Sequence, residues 1–350
     1  MAPEPAVKIL IIGLGGIGQR HARNLRTILG DRVELLAWRV RRLTHVITPA
    51  MQADSSRNVE TEYNIKAFED LDLALAEKPD AAFISNPTSH HLSAAQACAE
   101  RNCHLFIEKP VSHSLTGLHK LVKTVDTRKL VTLVGYQLRF HPCLIAVSDI
   151  LATQAIGRIL MVRAIVGEYL PGWHAYEDYR KTYAASAELG GGVILSQIHE
   201  FDYLYSLFGL PRSVYSLGGH WSSLDLDVED TASTLMDFSV EDKPVAVHLQ
   251  QDYVQRPPCR QCEIVGEQGK IIADFAALRV TAPGVDLDFG GFDRNQLFIN
   301  QTKHFLACLE GQESPIVDLC TGIQSLRMAL AAKESIATGQ PVKLATGFEA

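Results

Sequence analysis

Apolar runs alternate with amphipathic stretches through the first third of the chain. Val7–Ile12 and Val33–Trp38 are mostly apolar, which is typical of strands that are buried on both faces. Between them, apolar residues recur at helical spacing from Ile17 to Leu29. Further strands are predicted at 80–85, 104–107 and 130–134, and further helices at 89–100 and 115–125. This alternation predicts a parallel sheet with crossover helices. The polar, weakly periodic segment 40–63 is predicted to be a long surface connection.

The pattern changes beyond residue 150. Strands are predicted at 158–169, 213–221, 231–238, 245–252, 261–265 and 270–275, and most are joined by short polar turns. Such connections, without crossover helices, indicate a largely antiparallel sheet. Helices are predicted at 190–208, 295–309 and 318–338. The sequence therefore predicts two domains, 1–137 and 138–350, of which the second carries the antiparallel sheet.

A glycine motif follows the first predicted strand. Gly13, Gly15 and Gly18 form Gly-x-Gly-x-x-Gly. Gly13 permits a tight turn, Gly15 lets the backbone approach a phosphate, and Gly18 lets helix and strand pack closely. The free N–H groups at the helix start attract negative charge. The predicted phosphate-binding residues are Gly13, Leu14, Gly15, Gly16, Ile17 and Gly18. A glycine-rich turn without a ligand is the alternative, but the strand before it and the helix after it favour a dinucleotide-binding Rossmann domain.

The end of the second predicted strand bears on the choice of dinucleotide. Folds that prefer NAD usually carry an acidic residue here, about 20 residues past the glycines, which binds the ribose 2′-hydroxyl. This chain has Arg39, Arg41 and Arg42 instead. Guanidinium groups pair well with phosphate, and Trp38 or an arginine can stack on adenine. We therefore predict NADP(H) as the preferred cofactor, bound by Trp38, Arg39 and Arg42, with NAD(H) as the alternative.

Two segments carry residues that are suited to proton transfer. Lys109 follows a predicted strand, at the edge of the sheet where parallel sheets bind ligands, and Pro110 restricts it to extended conformations. His199 follows three glycines and shares a predicted helix face with Ser196. A lysine can hydrogen-bond a substrate oxygen, and a histidine titrates near neutral pH. The alternatives to a catalytic role are that Lys109 is a surface lysine in a turn and that His199 is a structural histidine.

Composition narrows the functional classes. The chain has 350 residues, a net charge of -7 and a pI near 6.0, which argues against a nucleic-acid surface. The first apolar run is too short to cross a membrane. Seven scattered cysteines fit reduced thiols in a cytoplasm. Cys259 and Cys262 form a lone Cys-x-x-Cys, which suits a redox pair or half of a zinc site, but incidental thiols are favoured and no metal is predicted.

Several motifs together resemble the Gfo/Idh/MocA oxidoreductases (glucose-fructose oxidoreductase, inositol dehydrogenase and MocA) over most of the chain. They are the glycine motif, the segment 86–91, Glu108-Lys109-Pro110, the segment 135–142 and the glycine–histidine segment. The resemblance implies a fold of the α/β class, a Rossmann domain followed by an α/β domain with a large open, mainly antiparallel sheet. It also implies that Lys109 and His199 carry the proton and orient the substrate hydroxyl. The residues expected to line the nicotinamide end are Asn86, Pro87, His91, Glu108, Lys109 and Gln137.

The aromatic and polar segment 168–183 lies where a substrate loop is expected. It resembles the loop of family members found near genes for nonulosonic acid and other surface sugars. The predicted supporting or substrate-binding residues are Ser196, Tyr169, Trp173, Tyr179, Arg180 and Arg139. One departure concerns the catalytic set, because many family members carry an aspartate three or four residues before the histidine. Those positions are Ser196 and Leu195 here, and neither supplies a carboxylate.

The expected function is an NADP(H)-dependent oxidoreductase that transfers a hydride to or from a carbinol or carbonyl carbon of a sugar, cyclitol or sugar derivative. The expected partners are a small sugar-like molecule and further copies of the chain, in a homodimer or homotetramer formed through the C-terminal sheet. A reductase of a non-sugar carbonyl, such as a diketone, remains an alternative. A dinucleotide-binding regulator without turnover is a second one.

Overall fold

The structure is a computed structural model that describes residues 7–39, 43–174 and 176–345. The strands are β1 (Val7–Ile12), β2 (Val33–Trp38), β3 (His45–Ile47), β4 (Ala53–Asn58), β5 (Ile65–Phe68), β6 (Ala81–Ile84), β7 (His104–Ile107), β8 (Thr132–Val134), β9 (Ile159–Gly167), β10 (Ser213–Gly219), β11 (Thr231–Val240), β12 (Lys243–Asp252), β13 (Cys259–Gly266), β14 (Gly269–Asp274), β15 (Arg279–Ala282), β16 (Val285–Asp288) and β17 (Val342–Lys343). The helices are α1 (Gly16–Leu29), α2 (Val59–Tyr63), α3 (Leu71–Ala76), α4 (His91–Glu100), α5 (Leu118–Arg128), α6 (Pro142–Ala152), α7 (Val193–Ser196), α8 (His199–Phe208), α9 (Asn295–Leu309) and α10 (Leu319–Thr338).

The first sheet confirms the predicted parallel arrangement. Its order is β5-β2-β1-β6-β7-β8, and every pairing in it is parallel. The four residues of β6 are all buried, as are the last four of β1, which explains their uninterrupted apolar sequences. Because the strands are parallel, their carboxyl ends meet at one edge. That edge gathers the glycine turn after β1, Arg39 after β2 and Lys109 after β7.

The prediction of a surface connection over 40–63 is wrong for the residues described there. β3 and β4 form an antiparallel ribbon, and α2 follows directly. Val46 is buried in the hydrophobic core, so this segment packs against the domain and is not only a surface connection. Asn58 caps α2, since its side-chain oxygen accepts from the N–H groups of Glu60 (2.9 Å) and Thr61 (3.3 Å). β3 has only three residues and β4 is largely exposed, so neither leaves an apolar pattern in the sequence.

The second sheet is large and mainly antiparallel, as predicted. Its nine strands run in the order β16-β15-β14-β13-β9-β12-β11-β10-β17, and within the described residues only β9 and β12 pair in parallel. β15, β16 and β17 were not predicted and lie at the two edges of the sheet. Helices α7, α8 and α10 cover one face of its central strands. The opposite face exposes large apolar side chains, among them Met161, Leu217 and Leu235.

The helix predicted over 190–208 is broken in the structure. The glycines precede it, with φ of +78° at Gly190 and +99° at Gly192, and α7 ends at Ser196 before α8 begins at His199. The side-chain amide of Gln251 on β12 donates to the Gln197 carbonyl oxygen at the break (2.9 Å). Ser196 and His199 therefore do not share one helix face. No glycine or proline marks this break, so the sequence gives no local sign of it.

Within the described ranges, no helix is long and apolar enough to cross a membrane. All seven cysteines are free thiols, and five of them are buried.

Candidate active site

The glycine turn between β1 and α1 fits a dinucleotide pyrophosphate. Gly13 has a φ of +91°, and a Cβ there would lie 3.0 Å from the backbone N of Asn86. A Cβ on Gly18 would overlap the Gly13 carbonyl oxygen, whereas one on Gly15 would meet no described atom within 4 Å. Helix α1 begins at Gly16 with no side-chain cap and no acidic residue in its first turn. Open space above Gly15 and free N–H groups at the helix start together suit an anion.

A loop of the second domain reaches over this turn. A Cβ on Gly16 would lie 2.6 Å from the Tyr176 hydroxyl, so that hydroxyl nearly touches the start of α1. Burial raises the pKa of Tyr176 above its ordinary value and keeps the phenol protonated. Leu14 is buried beneath the turn, and Ile17 is half-buried beside it. The sequence placed Tyr176 in an aromatic loop but gave no sign of this contact.

The residues predicted to bind the adenosine end have other partners. The Trp38 indole N–H donates to the Glu69 carbonyl oxygen at 3.2 Å. The Arg39 guanidinium forms an ion pair with Glu60 and donates to the Leu43 carbonyl oxygen at 3.1 Å. Arg42 lies outside the described residues. Arg39 is therefore in the predicted place, but its guanidinium is already bound to a carboxylate.

Lys109 is held by the helix break. Its ammonium donates to the Ser196 carbonyl oxygen at 2.7 Å. Because the helix stops there, that carbonyl is free to accept, and the carboxyl end of α7 favours a positive charge. Glu108, just before Lys109, is bound by His21 of α1, with Nε2 2.7 Å from Oε1. The backbone carbonyl of Ser196 thus positions the lysine, whereas the prediction concerned the Ser196 side chain. Glu108 links the end of β7 to α1.

His199 is a buried, neutral imidazole. Its side chain packs edge-on against Tyr136, with 5.8 Å between the ring centres. Burial, reinforced by the charges of Lys109, Arg260 and Arg294, holds its pKa well below the ordinary value. Its Nδ1 has no hydrogen-bond partner among the described residues. The structure thus brings Lys109 and His199 to one site, and no described carboxylate takes the place of the aspartate absent at Ser196.

Charged residues that sequence analysis missed surround this pair. The buried Glu200 lies 3.0 Å from Arg260 Nε, and Arg260 also lies 4.0 Å from Glu168. Burial raises the pKa of Glu200 to about 7, and the charge of Glu168 adds to the effect. Arg294, just before α9, adds a positive charge that acts on His199. These residues come from segments far apart in sequence. Among the described residues, no cluster of His, Cys, Asp and Glu is placed to hold a metal ion.

The nicotinamide-end residues lie on adjoining loops. His91 is buried, and its two ring nitrogens lie 2.8 Å from the carbonyl oxygens of Pro110 and Asn86. Burial lowers the pKa of His91, so its neutral ring has one N–H and donates to one of these two oxygens. His91 therefore supports the two loops, and its contact with the cofactor stays a prediction. Pro87 lies on the first loop, and Gln137 is buried in a short turn after β8.

Two arginines predicted to bind substrate are paired with carboxylates. Arg139 makes a two-pronged ion pair with the buried Asp202, with Nε–Oδ2 and Nη2–Oδ1 distances of 2.6 and 2.9 Å. It therefore supports α8 and leaves no free guanidinium face for substrate. Arg180 pairs with Asp178 at 2.6 Å and is 55% exposed, so its predicted contact with substrate has no support in the structure.

The predicted aromatic residues are dispersed along the loop. The Tyr179 hydroxyl accepts from the Asp225 N–H at 3.0 Å, which ties the loop to a neighbouring one. Trp173 packs edge-on against Tyr253, with 5.3 Å between ring centres, and its indole N–H is buried without a described partner. The guanidinium of Arg256 lies over the Tyr169 ring at 4.0 Å. Each of these three aromatic side chains therefore has a contact within the protein.

Comparisons with known proteins agree with this geometry. A model of the oxidoreductase family with an NAD-binding Rossmann fold, GFO_IDH_MocA, matches residues 7–136, and the GFO/IDH/MocA C-terminal domain model matches 144–272. The myo-inositol 2-dehydrogenase of Thermotoga maritima is 25% identical and covers 97% of this chain and 98% of its own. The scyllo-inositol 2-dehydrogenase (NAD(+)) of Bacillus subtilis is 25% identical, with 97% of both chains covered.

A solved structure shares the fold. It is that of the WlbA dehydrogenase from Bordetella pertussis in complex with NADH and UDP-GlcNAcA, with a TM-score of 0.80, 22% identity, and coverage of 98% of this chain and 100% of the other. The family models cover most of the chain. Lys109 binds the Ser196 carbonyl, and its charge acts on His199. The chain belongs to the Gfo/Idh/MocA family and is an NAD(P)-dependent oxidoreductase that acts on CH–OH groups.

Proposed function

We propose that the enzyme transfers a hydride between a nicotinamide dinucleotide and a carbinol or carbonyl carbon of a sugar, cyclitol or sugar derivative. The observation that carries the proposal is the ammonium of Lys109, held 2.7 Å from the Ser196 carbonyl oxygen. Its charge acts on the buried His199, whose pKa is lowered. The bound dinucleotide supplies the hydride donor or acceptor. The chain itself has to hold the substrate oxygen and move its proton.

Lys109 and His199 divide that work. The ammonium of Lys109 is a fixed donor, so it stabilises the negative charge that develops on the substrate oxygen during oxidation. His199 has a lowered pKa and is therefore in its basic form near neutral pH, ready to accept the hydroxyl proton. In the direction of reduction, the same pair returns the proton.

The substrate class is inferred from the relatives and from the loop over the site. The two inositol dehydrogenases above match nearly the whole chain, and a D-xylose 1-dehydrogenase (NADP(+)) of Haloarcula marismortui is 22% identical over 83% of this chain. The loop adds Tyr169 and Trp173, whose rings suit sugar faces. A polyol with several hydroxyls also suits the charged residues Glu168 and Arg260.

The finer prediction of NADP(H) rests on the arginines after β2. Arg39 is bound to Glu60 in the structure, and Arg42 lies outside the described residues. The relatives include enzymes named for NAD(+) and for NADP(+). We therefore propose that the enzyme uses NAD(P)(H) in general. The preference for NADP(H) stays a prediction, which the Kd values of the two dinucleotides test.

We also propose that the exposed face of the second sheet binds a second copy of the chain. It presents Met161, Leu217 and Leu235, each more than half exposed, beside Arg163 and Glu263, which lie 3.4 Å apart. A patch that is apolar and carries both charges is complementary to itself in a two-fold dimer. The free thiols support the further expectation of a cytoplasmic location.

Turnover tests the proposed reaction. Purified enzyme is assayed for NAD(P)H formation or consumption on a panel of polyols, keto-sugars and one diketone. We expect Lys109→Ala to lower kcat by about 100-fold or more while the Kd for the dinucleotide changes little, because the lysine acts on the substrate oxygen. Lys120→Ala, at an exposed surface ion pair, is the control. Tight dinucleotide binding without turnover on any substrate would favour the regulator, and turnover of the diketone alone would favour the non-sugar reductase.

A further inference from the structure

Arg39 lies beside the glycine turn, at the end of β2. The Gly13 N–H donates to the Trp38 carbonyl oxygen at 3.0 Å, and the Arg39 N–H donates to the Phe68 carbonyl oxygen at 3.2 Å. These bonds fix the main chain at Arg39 between β1 and β5. In Rossmann folds, the adenosine ribose is read at this place. The partner of the Arg39 guanidinium therefore bears on whether a 2′-phosphate can be held.

That partner is a carboxylate from a separate segment. Glu60 pairs with Arg39 Nη2, while Nη1 donates to the Leu43 carbonyl oxygen at 3.1 Å. The Arg39 and Glu60 side chains are 15% and 32% exposed, so water shields the pair only in part. The Asn58 cap binds the backbone N–H of Glu60 and fixes its place on α2. The chain thus brings an acid to the end of β2 through space, although its sequence has an arginine where an acid is usual.

We propose that Glu60 is a cofactor-specificity residue that opposes NADP(H) relative to NAD(H). A 2′-phosphate on the Arg39 guanidinium either displaces the Glu60 carboxylate or lies beside it, and in both cases the two negative charges oppose each other. The 2′-hydroxyl of NAD(H) carries no charge and meets neither cost. The inference rests on the dinucleotide binding of the proposed function and on nothing about its substrate.

Glu60→Gln tests the inference because it removes the charge and keeps the size of the side chain. Titration calorimetry measures the Kd of NADP+, NAD+, 2′,5′-ADP and 5′-AMP without substrate. We expect the variant to bind NADP+ and 2′,5′-ADP about 10-fold more tightly, as one released charge-assisted hydrogen bond allows. The Kd of NAD+ and of 5′-AMP should stay within about two-fold, since neither carries a 2′-phosphate.

Two controls separate specificity from structure. Glu62→Gln breaks a second Arg–Glu pair of the same helix, with the more exposed Arg57, and should change no Kd. Adding Arg39→Gln to Glu60→Gln should cancel the gain in NADP+ affinity, because the gain requires the freed guanidinium. Thermal unfolding shows that each variant is folded.

The outcomes are distinct. An unchanged ratio of NADP+ to NAD+ affinity in folded Glu60→Gln overturns the inference, as does a gain that survives the loss of Arg39. Equal weakening of all four nucleotides shows that the pair is only a brace between β2 and α2, which also overturns it. Wild-type protein that binds neither dinucleotide would contradict the proposed function itself. If the protein binds dinucleotide normally but turns over no substrate, the Kd values still decide the inference about Glu60.

Discussion

His141 shows how one residue couples burial to pH. It precedes α6, and its Nδ1 accepts from the Cys143 N–H at 3.1 Å, which caps the helix. Burial, with added charge from Arg260 and Arg294, lowers its pKa to about 4. The cap needs an unprotonated Nδ1, so the fold and the lowered pKa favour the same neutral form. Glu200 acts in the opposite sense, since its raised pKa makes the folded state the better proton binder between about 4.5 and 7.

The linkage predicts acid-sensitive stability. Between pH 6.5 and about 4 the unfolded chain protonates His141 and the folded chain does not, so this contribution is complete above pH 6.5 and is lost as the pH falls. Its size is on the order of 3 kcal/mol. The variant His141→Asn keeps a capping oxygen but does not titrate. We expect a flatter plot of its unfolding free energy against pH, because unfolding then takes up as much as one proton fewer. Urea unfolding from pH 7.5 to 4.5 measures this.

The exposed His119 provides the control for that prediction. His119→Asn makes the same substitution at an exposed histidine on the surface of α5. Its unfolding free energy should follow the wild-type pH dependence. An equal slope in His141→Asn and wild type would show that His141 is not a source of the acid sensitivity.

At the scale of elements, the sequence predicts those strands and helices that leave a regular pattern of apolar residues. β1, β2 and β7 have the predicted bounds because their burial on both faces leaves mostly apolar runs. The ribbon of β3 and β4 and the edge strands β15 to β17 were missed, since short or exposed strands leave weak patterns. The break between α7 and α8 was missed for a different reason. The amide that binds the Gln197 carbonyl at the break belongs to Gln251, more than 50 residues away in the chain.

The break yields a prediction of its own. Gln251→Leu removes the donor to the Gln197 carbonyl and leaves that buried oxygen without this partner, which costs about 1–3 kcal/mol. Because the break positions both the Ser196 carbonyl and His199, we also expect kcat to fall about 10-fold or more, with a smaller change in the Kd of the dinucleotide. Thermal unfolding and steady-state kinetics measure the two effects.

A neighbour on the same strand provides the matched control for Gln251. Gln250→Leu, one residue away and on the opposite face of β12, should leave kcat and the melting temperature close to wild type. If Gln251→Leu lowers the melting temperature but leaves kcat unchanged, the bond stabilises the fold without positioning the site.

At the scale of the whole molecule, the site combines residues from elements of both sheets and their helices. The parallel sheet supplies the glycine turn and Lys109, both of which a local motif reveals. The helices on the second sheet supply His199, and Arg260 comes from that sheet itself. Sequence motifs therefore predicted Lys109 and His199, but not Arg260, Arg294 or Tyr176, whose contacts depend on the packing of distant segments.

The outer face of the second sheet carries the last prediction. Leu235 on β11 is 55% exposed and lies between Tyr215 and His248 on the neighbouring strands, near the middle of the proposed dimer contact. We expect the wild type to be at least dimeric and Leu235→Glu to be monomeric by light scattering after gel filtration, since an unpaired charge in an apolar contact is costly. Leu73→Glu is the control, because Leu73 is at least as exposed (63%) but lies on α3, which packs on the first sheet. A monomeric wild type, or a Leu235→Glu variant that stays oligomeric, would show that copies of the chain do not associate through this face.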